Sequence, residues 1–338
     1  MDEIETKAAN LPWYVSAVHG YFSQRAMELF TFVDFVLVYT IISVLGMVTN
    51  VINVIIFRKM GVKDTVNKSL LVLSVTDLLY LLYTLLISLC YYPIWGDLDL
   101  NFNVLDLSIL TVGWPEFYFR RAGNWVTAFI TFERCLCTAL PLKVKVLITP
   151  RRTNLILAAI LCVLVLIIMP AYFAVEYQCQ FDTSSNRTYV ILVYHNNSAE
   201  IDSVTTAISF VFTIATFIFV IVCTVILVTS LRFKSKWRQN HFCADKTEMS
   251  SVRDLKVIKM VVSLSIIFIL ALIPDVAVML TMTFDHRVSF YGEYVDLYLV
   301  LNGVSEPVLA LNAALNILVY LKMSSKYRDT FSKVFGPV

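Results

Sequence analysis

Apolar runs separated by short polar stretches follow one another along most of the chain. A helix rising 1.5 Å per residue needs about 20 apolar residues to cross a hydrocarbon core of ~30 Å, and seven runs reach that length. Residues 35–57, 153–175 and 203–231 hold no Asp, Glu, Lys or Arg, while 69–96, 260–284 and 297–321 hold one each: Asp77, Asp275 and Glu306. The seventh run, roughly 107–138, contains EFYFRRAGNWVTAFITFERC at 116–135, with five charges. No alternating strand pattern suits a barrel. The pattern predicts an all-α membrane protein, a seven-transmembrane helix bundle over 32–323. Its spans fall at about 32–57, 69–96, 107–138, 153–175, 203–231, 257–284 and 294–322.

Beyond the last run, Tyr327, Phe331, Val334 and Phe335 recur at helical spacing, with Lys326, Arg328 and Lys333 on other faces. Segment 324–338 is therefore expected as a short amphipathic helix on the inner leaflet, with a brief cytoplasmic tail. Ser324 or Ser325 can cap its start.

Composition agrees with a membrane protein. Of 338 residues, 58% are hydrophobic and 15% charged, against ~25% charged in soluble domains; mean hydropathy is +0.74. Lys and Arg orient the bundle. Segments 58–68, 139–153, 230–259 and 322–338 carry 20 of them, against 4 in 1–31, 91–106, 171–202 and 285–296. The amino-terminal segment 1–31 is then extracellular and the carboxyl terminus cytoplasmic, in a multi-pass protein of the plasma membrane. The first thirty residues show no basic start followed by an apolar leader, so the first span is expected to direct insertion. The sequons at Asn186 and Asn196 fall in the outer loop, where glycosylation is expected; that at Asn67 falls inside. Of the seven cysteines, only Cys90 and Cys179 can meet on the oxidising side, so one disulfide between them is expected.

The isolated charges carry the candidate chemistry. Glu116 and Arg134 are 18 residues apart, so they share a face about 27 Å apart along the helix axis. Arg120 is one turn from Glu116, near enough to pair, while Arg121 points towards other helices or lipid. Asp275 follows Pro274, and Glu306 precedes Pro307. Intramembrane charges usually face a cavity and pair. Glu116, Arg120, Asp275 and Glu306 are expected to line a polar ligand pocket open to the outside, the bland alternative being salt bridges that only fix helix packing. Deeper, Asp77 with Asn50, Asn312 and Asn316 could share water, a proton or a sodium ion, or form a structural hydrogen-bond cluster. No other cofactor is expected.

In order along the chain, Asn50, Leu73-Ser-Val-Thr-Asp77, Glu133-Arg134-Cys135, Pro141-Leu142, Pro274 and Asn316-Ile-Leu-Val-Tyr320 resemble the motifs of the rhodopsin-like G-protein-coupled receptors. Within that class, GVKDTVNKSLLVLSVTDLLY, ERCLCTALPLKVKVLITPRRT and LRFKSKWR look like the expanded chemosensory-type receptors of molluscs. The chain departs from the pattern in several places. Cys135 stands for Tyr, Ile317 for Pro and Leu272 for Trp; no cysteine lies between Cys90 and Cys135, and no tyrosine between Tyr194 and Tyr291.

The resemblance implies a resting lock in which Arg134 pairs with Glu133 and with Asp254 on helix 6, and a switch that includes Asn316 and Tyr320. It also implies a heterotrimeric G protein as partner; Thr330 and Ser332 are a sparse phosphorylation supply for arrestin. Three acids against two arginines leave the outer charges at −1, which suits a small amine or an amino-acid-like agonist. A neuropeptide receptor is the near alternative, and a non-coupling decoy receptor the alternative of another kind. The four histidines all fall outside the spans, so a buried zinc enzyme is not expected. Residues 297–321 hold no lysine for retinal. Nucleic acid is not an expected partner.

Overall fold

The computed structural model describes residues 21–98, 100–140, 144, 147–183, 186–195, 197–240, 248–285, 287–288 and 293–336. Asn196, Pro141 and Leu142 lie outside the described residues, as do the first twenty residues. Seven long helices make up the described bundle. Helix α1 is Gln24–Met60, α2 Thr65–Cys90, α4 Pro150–Tyr172, α5 Ser198–Asn240, α6 Glu248–Phe284 and α7 Val295–Met323. Helix α3 runs on through Val104–Ser108, Ile109–Gly113 and Trp114–Ala139, and the short α8 is Ser325–Phe335. Six of the seven are apolar enough to cross a membrane by composition alone. The other is α3, whose five charges lower its mean hydropathy. It packs against α2, α4, α5 and α6, so those charges meet protein rather than lipid. Leu45, Leu155, Leu166, Val211, Leu270 and Val304 are exposed on the outer helices, as a lipid-facing surface requires.

Local sequence explains the helix ends. Ser23 accepts from the Ala26 amide and starts α1 eight residues before the expected span at 32. Gly61, at φ 89°, ends it. Asp64 caps α2 by accepting from the Val66 amide at 3.2 Å. Helix α2 ends at Cys90 rather than at the expected 96, because Pro93 cannot continue it. Both α1 and α3 contain a wide π-helical turn, at Phe32–Val38 and Ile109–Gly113.

One element stands outside the all-α bundle that the sequence predicts. Strands β1 (Val175–Asp182) and β2 (Arg187–Tyr194) form an antiparallel hairpin between α4 and α5. The run RTYVILVY is rich in β-branched and aromatic residues, and Asn186 tolerates the left-handed φ of 54° at its turn. The expected disulfide is corrected, since Cys90 and Cys179 are both free thiols. The Cys90 side chain is hydrogen-bonded to Ser108, and Cys179 lies exposed on β1 opposite Val190. Hydrogen bonds hold the hairpin to the start of α3 instead. Tyr177 Oη donates to the Leu107 carbonyl at 2.8 Å, and the Val190 amide to Asn101 at 2.8 Å.

A polar seam joins α1 to α7. Thr49 and Asn50 donate to the carbonyls of Ala314 and Ala313 at 2.9 and 3.0 Å. The two helices meet so closely at Gly46 that a Cβ there would lie 2.9 Å from Ala314 Cβ. At the opposite end from the hairpin, Ser324 caps α8 by accepting from the Tyr327 amide at 3.2 Å. Tyr327 is fully buried against Phe57 and Tyr320, and its hydroxyl donates to Asn53 Oδ1 at 2.6 Å. Burial pushes the Tyr327 phenol up, so it stays a neutral donor. Tyr327→Ala should cost about 3 kcal/mol of local stability. Amide exchange over Ser325–Phe335 should then quicken roughly a hundredfold, with α7 protected as before; unchanged α8 protection would mean that Tyr327 is not its anchor.

Candidate functional site

The site is built on α3 because that helix is enclosed by the others. Glu116 and Arg120 are one turn apart there, and the guanidinium reaches out to two more helices. Arg120 Nε lies 3.5 Å from Glu116 Oε1, an ion contact rather than a hydrogen bond. Its Nη1 lies 3.3 Å from Asp275 Oδ1 on α6 and 2.5 Å from Glu306 Oε1 on α7. Arg121, 100° further round the helix, turns inward as well. Its Nη1 is 3.5 Å from Asp275 Oδ2 and donates to the Thr213 hydroxyl on α5. The ring of Phe117 lies 5.2 and 4.9 Å from the two guanidinium carbons, within cation–π range. Glu116, Arg120, Arg121 and Asp275 are all buried. The four expected ligand residues thus come together, with Arg121 added. Each of the three carboxylates is already within 3.5 Å of the Arg120 guanidinium.

Below this network a cavity of about 20 Å³ separates Arg120 from Asp77, lined also by Tyr80, Asn124, Asn312 and Asn316. That is room for one or two waters. A second, of about 10 Å³, continues past Thr127 and Thr131. Asp77 Oδ2 accepts from Asn316 Nδ2 at 2.9 Å, and Asn312 lines both cavities. Asn50 departs from expectation. Its amide group donates to the Gly46 carbonyl of its own helix and to the Ala313 carbonyl of α7, and its oxygen accepts from Asn53 at 3.4 Å. Gly123 lets α3 approach, since a Cβ there would lie 3.0 Å from Asp77 Oδ1.

At the α8 end, Glu133 is fully buried and pairs with Arg134 at 3.0 Å. It also accepts from the Thr65 hydroxyl and, at 3.5 Å, from Ser69 on α2. Asp254 lies on α6, but its side chain falls outside the described part. Tyr320 is fully buried and packs edge-on against Phe57 at 5.1 Å.

Two features escaped the sequence reading. The first is the periodicity of α3. Arg120, Asn124, Thr127, Thr131 and Arg134 recur at i, i+4, i+7, i+11 and i+14, so one polar face runs about 21 Å down the bundle. The Thr131 hydroxyl meets Ser265 of α6 at 2.8 Å on that face. The spacing was visible in the letters. The second is a pair of buried acids, Asp34 on α1 and Asp296 on α7. Their signal was a lone acid at the end of each apolar run.

Breaking a buried ion pair from one side costs about 3–5 kcal/mol, because the partner charge stays behind. Arg120→Leu, which strands Glu116 and Glu306 and leaves Asp275 with Arg121 alone, should lower unfolding stability in lipid nanodiscs by that order. Adding Glu306→Gln should restore part of the loss. Strictly additive losses in the double variant would show that the two side chains do not act as a pair.

The family model described as serpentine type 7TM GPCR chemoreceptor Srw matches residues 36–337, nearly the whole bundle and α8. No curated protein matches the chain. The helices long enough to span a membrane, the enclosed charged α3 and this match agree, and the chain belongs to the serpentine seven-transmembrane GPCR chemoreceptor family Srw.

Proposed function

We propose that this chemoreceptor senses a small amine or amino-acid-like solute from outside the cell and passes the signal to a heterotrimeric G protein. The observation that carries the reading is the Arg120 contact set, which ties α3, α6 and α7 together through Glu116, Asp275 and Glu306. Three carboxylates facing two guanidiniums leave a formal charge of −1. An ammonium competes with Arg120 for a carboxylate, and a carboxylate competes for Arg120 itself. Either exchange redistributes the pairs between α6 and its neighbours. A ligand can shift that equilibrium only by its difference in affinity for the two arrangements.

The remaining parts follow the scheme of rhodopsin-like receptors, within which the molluscan chemosensory-type resemblance belongs. The charge bias of the loops puts the hairpin end outside a plasma membrane and α8 at the inner leaflet. The polar face of α3 then connects the ligand end to the Glu133–Arg134 pair. Release of Arg134 from Glu133 and from Asp254, with Asn316 and Tyr320 following, opens the inner end to the G protein and afterwards to arrestin. The cavity beside Asp77 takes water or a sodium ion, and Arg120 on its wall favours water by like-charge repulsion.

Ligand-free nucleotide exchange on a panel of G proteins tests the coupling without an agonist. Asp254→Ala should raise basal exchange on at least one G protein, and Arg134→Ala should hold it at background. If neither variant moves exchange on any G protein despite surface expression, the receptor does not couple in this way, and the decoy reading takes its place.

A further inference from the structure

The acids of the central network already have their cation. Among the described residues, Glu116, Asp275 and Glu306 pair with Arg120, and Glu133 pairs with Arg134. Asp77 accepts from the Asn316 amide. Asp34 is different. It is 8% exposed, its Oδ2 has no hydrogen-bond partner, and no ion pair reaches it among the described residues. An ionised carboxylate buried without a partner is costly, so this position calls for a proton or a cation.

The surroundings select among cations. The π-helical turn Phe32–Val38 buries three consecutive residues, Asp34, Phe35 and Val36, and the Asp34 carboxylate reaches α7. There it meets Gly303, where a Cβ would lie 2.7 Å from Asp34 Oδ2 and 2.6 Å from the Phe30 ring. The Phe35 ring lies 6.5 Å from that of Phe30 and 5.1 Å from that of Tyr39, with one face stacked on Tyr91 at 4.8 Å. A carboxylate with an aromatic ring for its neighbour suits an organic ammonium rather than a metal ion, which would need several oxygen donors. Asp296 lies on the same face of α7, seven residues before Gly303, hence about 10 Å nearer the hairpin end. Its Oδ2 accepts from the Phe22 amide at 3.0 Å, while its Oδ1 also has no partner.

We propose that Asp34 anchors the ammonium group of an amine with an aromatic or apolar body, in a site between α1 and α7 formed with Phe30, Tyr39 and Gly303. This rests on the receptor function proposed above and gives the amine a charge partner on α1, beside the Arg120 network. The arginine network is then the built-in clasp, and the ligand acts on it from the side, since Gly303 and Glu306 are one turn apart on α7.

The test uses the full-length receptor in lipid nanodiscs, with phenethylammonium, 3-phenylpropionate and 2-phenylethanol as matched cation, anion and neutral probes. Near saturation, phenethylammonium should raise the Tm of the wild type by about 2 °C or more, and the other two should not. Asp34→Asn should abolish the rise. If that variant does not melt cooperatively, Gly303→Ala, which crowds the carboxylate oxygen, should abolish it instead. No rise in the wild type, an equal rise with the anion or the alcohol, or an undiminished rise in Asp34→Asn overturns the assignment. A rise lost in Glu306→Gln but kept in Asp34→Asn also overturns it, and leaves the Arg120 network as the ligand site. Basal nucleotide exchange needs no amine, so failure here is distinct from failure of coupling.

Discussion

The guanidinium of Arg120, held among carboxylates from α3, α6 and α7, is the contact on which the upper half of the bundle depends. Placed in lipid, any of these groups would cost several kcal/mol. Placed against one another inside a ring of apolar helices, they let a segment with five charges act as the central helix of a membrane protein. The cost of desolvation is offset only while the contacts persist together. Such a cluster has few good arrangements and poor intermediate ones, as a two-state element requires.

The same helix carries the connection downwards. Its polar face passes two water-sized cavities, one of them shared with Asp77, meets Ser265, and ends at Arg134 beside the buried Glu133. Glu133 is also tied to α2 through Thr65 and Ser69, so the lower lock is more than an ion pair with its neighbour. Tyr327 then joins α8 to α1 and α7 at the same end. The lower half thus rests on hydrogen bonds and aromatic packing, where the upper half rests on charge.

Much of this was legible in the sequence, because membrane spans are set by length and apolarity alone. The spans, the pairing of Glu116 with Arg120 and the amphipathic face of α8 follow from periodicity. What was not legible depends on how helices rotate against one another. Arg121 meets Thr213 and Asp275 only because α5 and α6 present those side chains to it. Asn50 finds the Ala313 carbonyl of α7 in place of Asp77. Asp34 stands just outside the uncharged run that begins at Phe35, and a π-helical turn leaves no trace in a 3.6-residue period. The hairpin was hidden in a loop of an all-helical scheme, although RTYVILVY has the composition of a strand.

The central claim is that Arg120 holds α6 to α3 and α7. It is tested most directly by the distance between spin labels at Thr138 on α3 and Lys256 on α6, in wild type and in Arg120→Gln. If the clasp sets the position of α6, the variant should show a broader distribution displaced to longer separations without any ligand. If the two distributions coincide in folded receptor, the Arg120 network fixes only local packing, and the position of α6 is governed elsewhere.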